Sequence, residues 1–148
     1  MTPESRIKFI KDWLVKYIKN MPKPATSLVV GVSGGIDSAV VSTICSMTGL
    51  KTLALSMPIK QIKEQDDLSK KHCKWLLTNF KNVEMLNINL DEVFTNFEKA
   101  LTKNNSEHAF ANSRARIRMT TLYQVSGSNN GIVVGTGNKV EDFGVGFY

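Results

Sequence analysis

The chain has 148 residues, 42% of them hydrophobic and 22% charged, which is one domain's worth with enough apolar content for a proper core. No run approaches the ~20 apolar residues of a membrane span, so no membrane-spanning helix is expected. The net charge of +6 favours an anionic partner, and charge alone does not choose among a nucleotide, a nucleic acid and a membrane surface.

At the amino terminus, Thr2 suits a helix cap and Pro3 a first helical turn. Ile7, Ile10, Trp13, Leu14, Tyr17 and Ile18 then recur at helical spacing, with Lys and Asp between them. This is an amphipathic helix and not a targeting signal, and packing on its own or a sister domain is its expected fate. With the linker that follows it, the helix accounts for residues 1–24 of a single domain spanning 1–148.

Four short apolar runs then alternate with helical patterns. "SLVVGV" (27–32) predicts a strand, followed by a helix over 38–47. "KTLALSM" (51–57) predicts the second strand, stopped by Pro58, with a Lys- and Asp-rich helix over 65–80. "VEMLNINL" (83–90) predicts the third, with helices over 91–102 and 107–125 after it. "SGSNNG" (126–131) reads as a turn into the fourth strand, "GIVVGTG" (131–137), and Asn138-Lys139 opens another helix. Strands and helices alternating in this way predict an α/β fold, a doubly wound parallel sheet with helices on both faces and right-handed crossovers. Cys45 and Cys73 make neither a disulfide framework nor a CxxC pair, Cys45 falls on a helix face expected to be buried, and a reducing, cytoplasmic setting fits. An apolar fourth strand left as an edge would be a hazard. The chain is therefore expected to be part of a longer protein, a dimer partner over the edge being the alternative.

The chemistry concentrates in "GVSGGIDS" (31–38). A Walker loop laid on Gly31 would need Gly at Ile36 and Lys at Asp37, and GxGxxG would need Gly at Ser33, so both patterns fail. Even so, Gly34 and Gly35 can adopt positive φ and gather successive N–H groups into one concavity. The next helix adds its N-terminal donors and dipole, and the Ser33 and Ser38 hydroxyls can donate as well. Such a cup holds pyrophosphate without lysine. Asp37 is then explained by a Mg²⁺ ion between it and the phosphates, whereas helix capping explains the aspartate but not the Ser-Gly-Gly before it.

SGGIDS after an apolar strand resembles the pyrophosphatase loop of the N-type ATP pyrophosphatases, whose fold is of the adenine-nucleotide alpha-hydrolase type. "NSRARIRMTTLYQVS" (112–126) and "GTGNKVEDFGVGFY" (135–148), with "MPIKQIKEQDD" (57–67), extend the likeness to ammonia-dependent NAD synthetases. The resemblance implies a ligase that amidates deamido-NAD with ammonia, consuming ATP through an adenylated intermediate and releasing AMP and pyrophosphate. It implies ATP binding by Gly31, Val32, Ser33, Gly34, Gly35, Ile36, Asp37, Ser38 and Thr136, Mg²⁺ binding by Asp37 and Glu141, deamido-NAD binding by Arg116, and a homodimer. No protein nucleophile is required; Asp37 and Arg116 position. The family continues past Tyr148 with further substrate-binding residues, so turnover by these 148 residues alone is doubtful, and no glutaminase-like segment precedes the synthetase segment, so free ammonia is the expected nitrogen source.

Arg114 and Arg118 share one helical face with Arg116 nearly opposite, and they are expected to be solvated, paired or at a subunit contact. His72, His108 and the lysines of 60–81 read as surface features; neither nucleic acid nor membrane is expected as a partner. The rival readings are a tRNA-modifying ATP pyrophosphatase and a non-catalytic nucleotide-binding module.

Overall fold

The structure is a computed structural model that describes residues 2–60 and 63–145. Its centre is a four-stranded sheet of order β3-β2-β1-β4, every pairing parallel: β1 is Ser27–Gly31, β2 Lys51–Ser56, β3 Val83–Asn87 and β4 Gly131–Val133. The expected α/β architecture is the observed one. Leu28, Val29 and Val30 are all buried, as a central strand covered on both faces requires.

Among the described residues, six helical segments surround the sheet. α1 (Pro3–Lys19) begins as the sequence indicates, Ser5 N donating to Thr2 Oγ1 over 3.2 Å. α2 (Ile36–Met47) and α3 (Lys63–Asn79) pack on one face, where Val32, Ala54, Cys73 and Leu76 form a buried cluster and Ile18, Leu28 and Cys45 another. α4 (Asp91–Ala100) and α5 (Glu107–Ser128) cover the other face over Val29, Leu53, Leu55, Phe94 and Phe110. A single π-helical turn, Glu141–Val145, follows β4. Of the apolar residues counted on α1, only Leu14 and Ile18 are buried; Trp13 and Tyr17 stack on each other at the surface, 5.3 Å between ring centroids.

Several boundaries differ from those the sequence suggests, each for a local reason. β3 stops at Asn87 rather than Leu90, because Asn89 Oδ1 accepts from Asp91 N and turns the chain into α4. α5 runs through Gly127 to Ser128, so the first half of "SGSNNG" is helix end and only Asn129 and Asn130 form the turn. β4 is only three residues long, paired on one side with a β1 that leaves the sheet at Gly31. The helix after β1 starts at Ile36, not Ser38, which changes the role of the residues there. Residues 61–62 and 146–148, within the stretches named above, lie outside the described residues.

Candidate active site

In a parallel sheet, ligands gather beyond the carboxyl ends of the strands, where neighbouring connections run to opposite faces. Here that place lies between β1 and β4. A cavity of about 970 Å³ opens there, lined by Gly31, Val32, Ser33, Gly34 and Gly35 after β1 and by Thr136 after β4. Met57, Ile59 and Lys60 after β2, and Arg114, Arg118, Met119 and Leu122 of α5, supply its other walls. Six of the expected site residues thus line one cavity. Ile36, Asp37, Ser38, Arg116 and Glu141 are not among its lining residues; Ile36 is exposed.

The loop is built differently from the expected cup. Gly34 alone takes the positive φ, +90°; Gly35 is extended at φ −82° and occupies the N-cap of α2. Ser38 is buried, and its hydroxyl donates to Gly35 O (2.9 Å) while accepting from Ser33 N (3.2 Å). Gly35 N in turn donates to Ser33 Oγ. Ser38 is therefore an internal brace rather than an outward donor, and two loop N–H groups are satisfied within the loop. The N–H groups left over are those of the first turn of α2, where helical geometry gives Ile36, Asp37 and Ser38 no intrahelical acceptors.

Asp37 does not cap its helix. It stands in the first turn of α2, the cap position being Gly35 with no side-chain cap, and its Oδ2 accepts from Asn138 Nδ2 at 3.2 Å. Asn138 Oδ1 accepts from Val140 N and Glu141 N, both at 3.0 Å, so a single amide joins the first turn of α2 to the turn carrying Glu141. The residues fit a nucleotide-borne Mg²⁺. Asp37 and Glu141 offer hard oxygen ligands on exposed side chains, the donor type that Mg²⁺ takes beside phosphate oxygens.

The sequence leads one to expect Arg114 and Arg118 solvated, paired or at a subunit contact, and Lys60 at the surface; Arg114 is indeed paired, and all three line the cavity. Arg118 is half-buried and its Nε donates to Met57 O at 3.0 Å, tying α5 to the end of β2. Burial, then the neighbouring Arg114 charge, pushes the Arg118 guanidinium below its ordinary value. Arg114 pairs with Glu107 at 2.8 Å, and Lys60, at φ +45°, pairs with Glu98. Both cations lie over the Phe94 ring, 5.4 and 5.6 Å from its centroid. The signal was available in the i, i+4 spacing of Arg114 and Arg118, a face they share with Leu122. Arg116, as its position on the helix suggested, is exposed and away from that wall.

His72 also differs from the surface reading: it is half-buried and within hydrogen-bond distance of Ser42 Oγ, 2.9 Å. Ser42 Oγ also lies 2.7 Å from Ser38 O, which joins His72 to the first turn of α2. Burial raises the thiol of Cys45 to about 12 and that of Cys73 to about 11, so neither supplies a thiolate nucleophile.

The NAD synthase family model matches residues 6–148 of the chain. The NH(3)-dependent NAD(+) synthetase of Mesoplasma florum is 37% identical over 148 residues, covering 96% of this chain and 58% of the relative. That of Carboxydothermus hydrogenoformans is 34% identical over 144 residues, covering 93% and 56%. Among solved structures, the NMN synthetase of Francisella tularensis superposes with a TM-score of 0.84 at 31% identity, over 95% of this chain and 57% of the other. The NH3-dependent NAD synthetase of Campylobacter jejuni, solved with nitrate ion, gives 0.82 at 34% identity, over 95% and 59%. The chain spans a little over half the length of the curated relatives it matches.

Proposed function

The chain belongs to the NAD synthase family, and on that premise we propose that its cleft binds ATP with Mg²⁺ and supports the amidation of deamido-NAD by ammonia. The observation that carries the proposal is the meeting, in one cavity, of the glycine loop after β1 and Thr136 after β4, with Asp37 linked to the Glu141 turn behind it. The substrate carboxylate attacks the α-phosphorus of ATP, and pyrophosphate leaves toward the first turn of α2. Ammonia then attacks the acyl-adenylate carbonyl and AMP departs. Backbone N–H groups at a helix N-terminus stabilise the charge that develops on the leaving group, and positioning does the rest. Mg²⁺, when bound with the nucleotide by Asp37 and Glu141, neutralises phosphate charge. Arg116 on the opposite side of α5 is assigned to deamido-NAD, Thr136 to ATP. The chain acts in a reducing cytoplasm and as a homodimer, with the exposed Trp13 and Tyr17 of α1 as the contact. Among the described residues no helix is long and apolar enough to cross a membrane.

The test is release of AMP and pyrophosphate from ATP, Mg²⁺ and ammonium in the presence of deamido-NAD, nicotinate mononucleotide or tRNA. Products formed only with deamido-NAD support the proposal. Products formed with the mononucleotide would instead align the chain with the Francisella NMN synthetase. tRNA-dependent release would contradict it, and ATP retention with no turnover in any arm would favour the nucleotide-binding module.

A further inference from the structure

Among the described residues, Asn138 joins the first turn of α2 to the turn after β4 by its side chain, across 101 positions of sequence. Its amide is used at both ends: Nδ2 donates to Asp37 Oδ2, and Oδ1 receives the N–H groups of Val140 and Glu141. Its own carbonyl takes Asp142 N at 3.0 Å, and a Cβ on Gly137 would lie 2.9 Å from Asp142 Oδ1, so the turn closes tightly around it. The amide is chemically suited to this place. Two carboxylates intended for one cation repel each other, and a neutral group that donates to one while fixing the backbone of the other holds both without adding charge. An aspartate could hold the turn but would repel Asp37; a serine could hold the turn but not span to Asp37.

We propose that Asn138 is a positioning residue that sets the Asp37 carboxylate in register with the Glu141 turn for a divalent cation carried by ATP. The proposal rests on the nucleotide reading above and deepens it by naming what aligns the two carboxylates. A role limited to the turn is the competing account, and the two differ in whether the effect passes through Asp37.

The experiment is equilibrium dialysis of labelled ATP against the chain across a Mg²⁺ series, reading the Mg²⁺ concentration that gives half-maximal retention. Asn138→Ser keeps an oxygen for the turn's N–H groups and lies outside the three core clusters, so it retains the fold, which a urea curve checks. It is expected to need about tenfold more Mg²⁺, the equivalent of one lost charge-assisted hydrogen bond. In an Asp37→Ala background the same substitution is expected to add nothing, because its partner is already gone. A native-like Mg²⁺ requirement for Asn138→Ser, or an equal additional loss in the Asp37→Ala background, overturns the proposal and leaves the nucleotide reading standing. Failure of the native chain to retain ATP at any Mg²⁺ concentration overturns both.

Discussion

Gly34 shows how a single residue type is dictated by two constraints at once. Its φ of +90° belongs to the region that side-chain-bearing residues avoid, and a Cβ there would stand 2.6 Å from Gln65 O. Gly34→Ala is therefore expected to lose ~2–3 kcal/mol of stability, read from the shift in urea midpoint. It should also lose ATP retention, because the loop moves away from α3. The sequence indicated that glycines were needed but not which one adopts the left-handed conformation, since that depends on α3 packing down from a distant part of the chain. His72 makes the same point with a titratable group. Burial lowers its pKa from 6.5, so the unfolded chain binds a proton more readily than the folded one. The stability it supports is complete above about 6.5 and is lost as pH falls toward the folded value. Urea midpoints measured between pH 7.5 and 5 should show this decline, and His72→Gln should flatten it; an unchanged slope would mean that other groups set the acid dependence.

At the scale of elements, the glycine loop after β1 is shaped as much by α3 as by its own residues. Ser69 of α3 is buried and donates to Val32 O at 2.9 Å, with Ser56 Oγ at 3.3 Å. Ser69→Ala leaves that carbonyl without its side-chain donor and is expected to cost ~1–3 kcal/mol, measured by urea denaturation. On the opposite face, Phe94 of α4 is wholly buried and meets Phe110 of α5 edge-on at 5.9 Å. Phe94→Ala should cost ~3–5 kcal/mol, while Phe94→Leu keeps most of the burial and isolates the ring beneath Lys60 and Arg114. The helices α4 and α5 were legible in the sequence, α4 with a marked apolar face. Their work as a cleft wall was not, because charged residues over an aromatic ring look in sequence like an ordinary solvated face. Expectation and structure agree on every strand's existence and diverge at strand ends, where pairing and side-chain turns such as Asn89 decide the boundary.

For the whole molecule, the alternation of strands and helices predicts the parallel sheet, and the observed order β3-β2-β1-β4 places the site. The connection from β1 runs through α2 on one face and the connection into β4 through α5 on the other, opening the sheet's carboxyl edge between them. The glycine loop and "GTGNK" are about a hundred residues apart, and the parallel pairing of β1 with β4 brings them to one edge of the sheet. What sequence reasoning could not supply is the internal bracing by Ser33 and Ser38, or the amide of Asn138 between two acidic residues.

Central to the proposed chemistry is a nucleotide and its cation lying between the first turn of α2 and the turn after β4. Amide NMR spectra of the chain with ATP and a trace of paramagnetic Mn²⁺ in place of Mg²⁺ test this most directly. The signals of residues 34–38 and 138–141 should broaden first and recover when EDTA is added. Broadening centred on the acidic start of α3, or none in the presence of ATP, would contradict it.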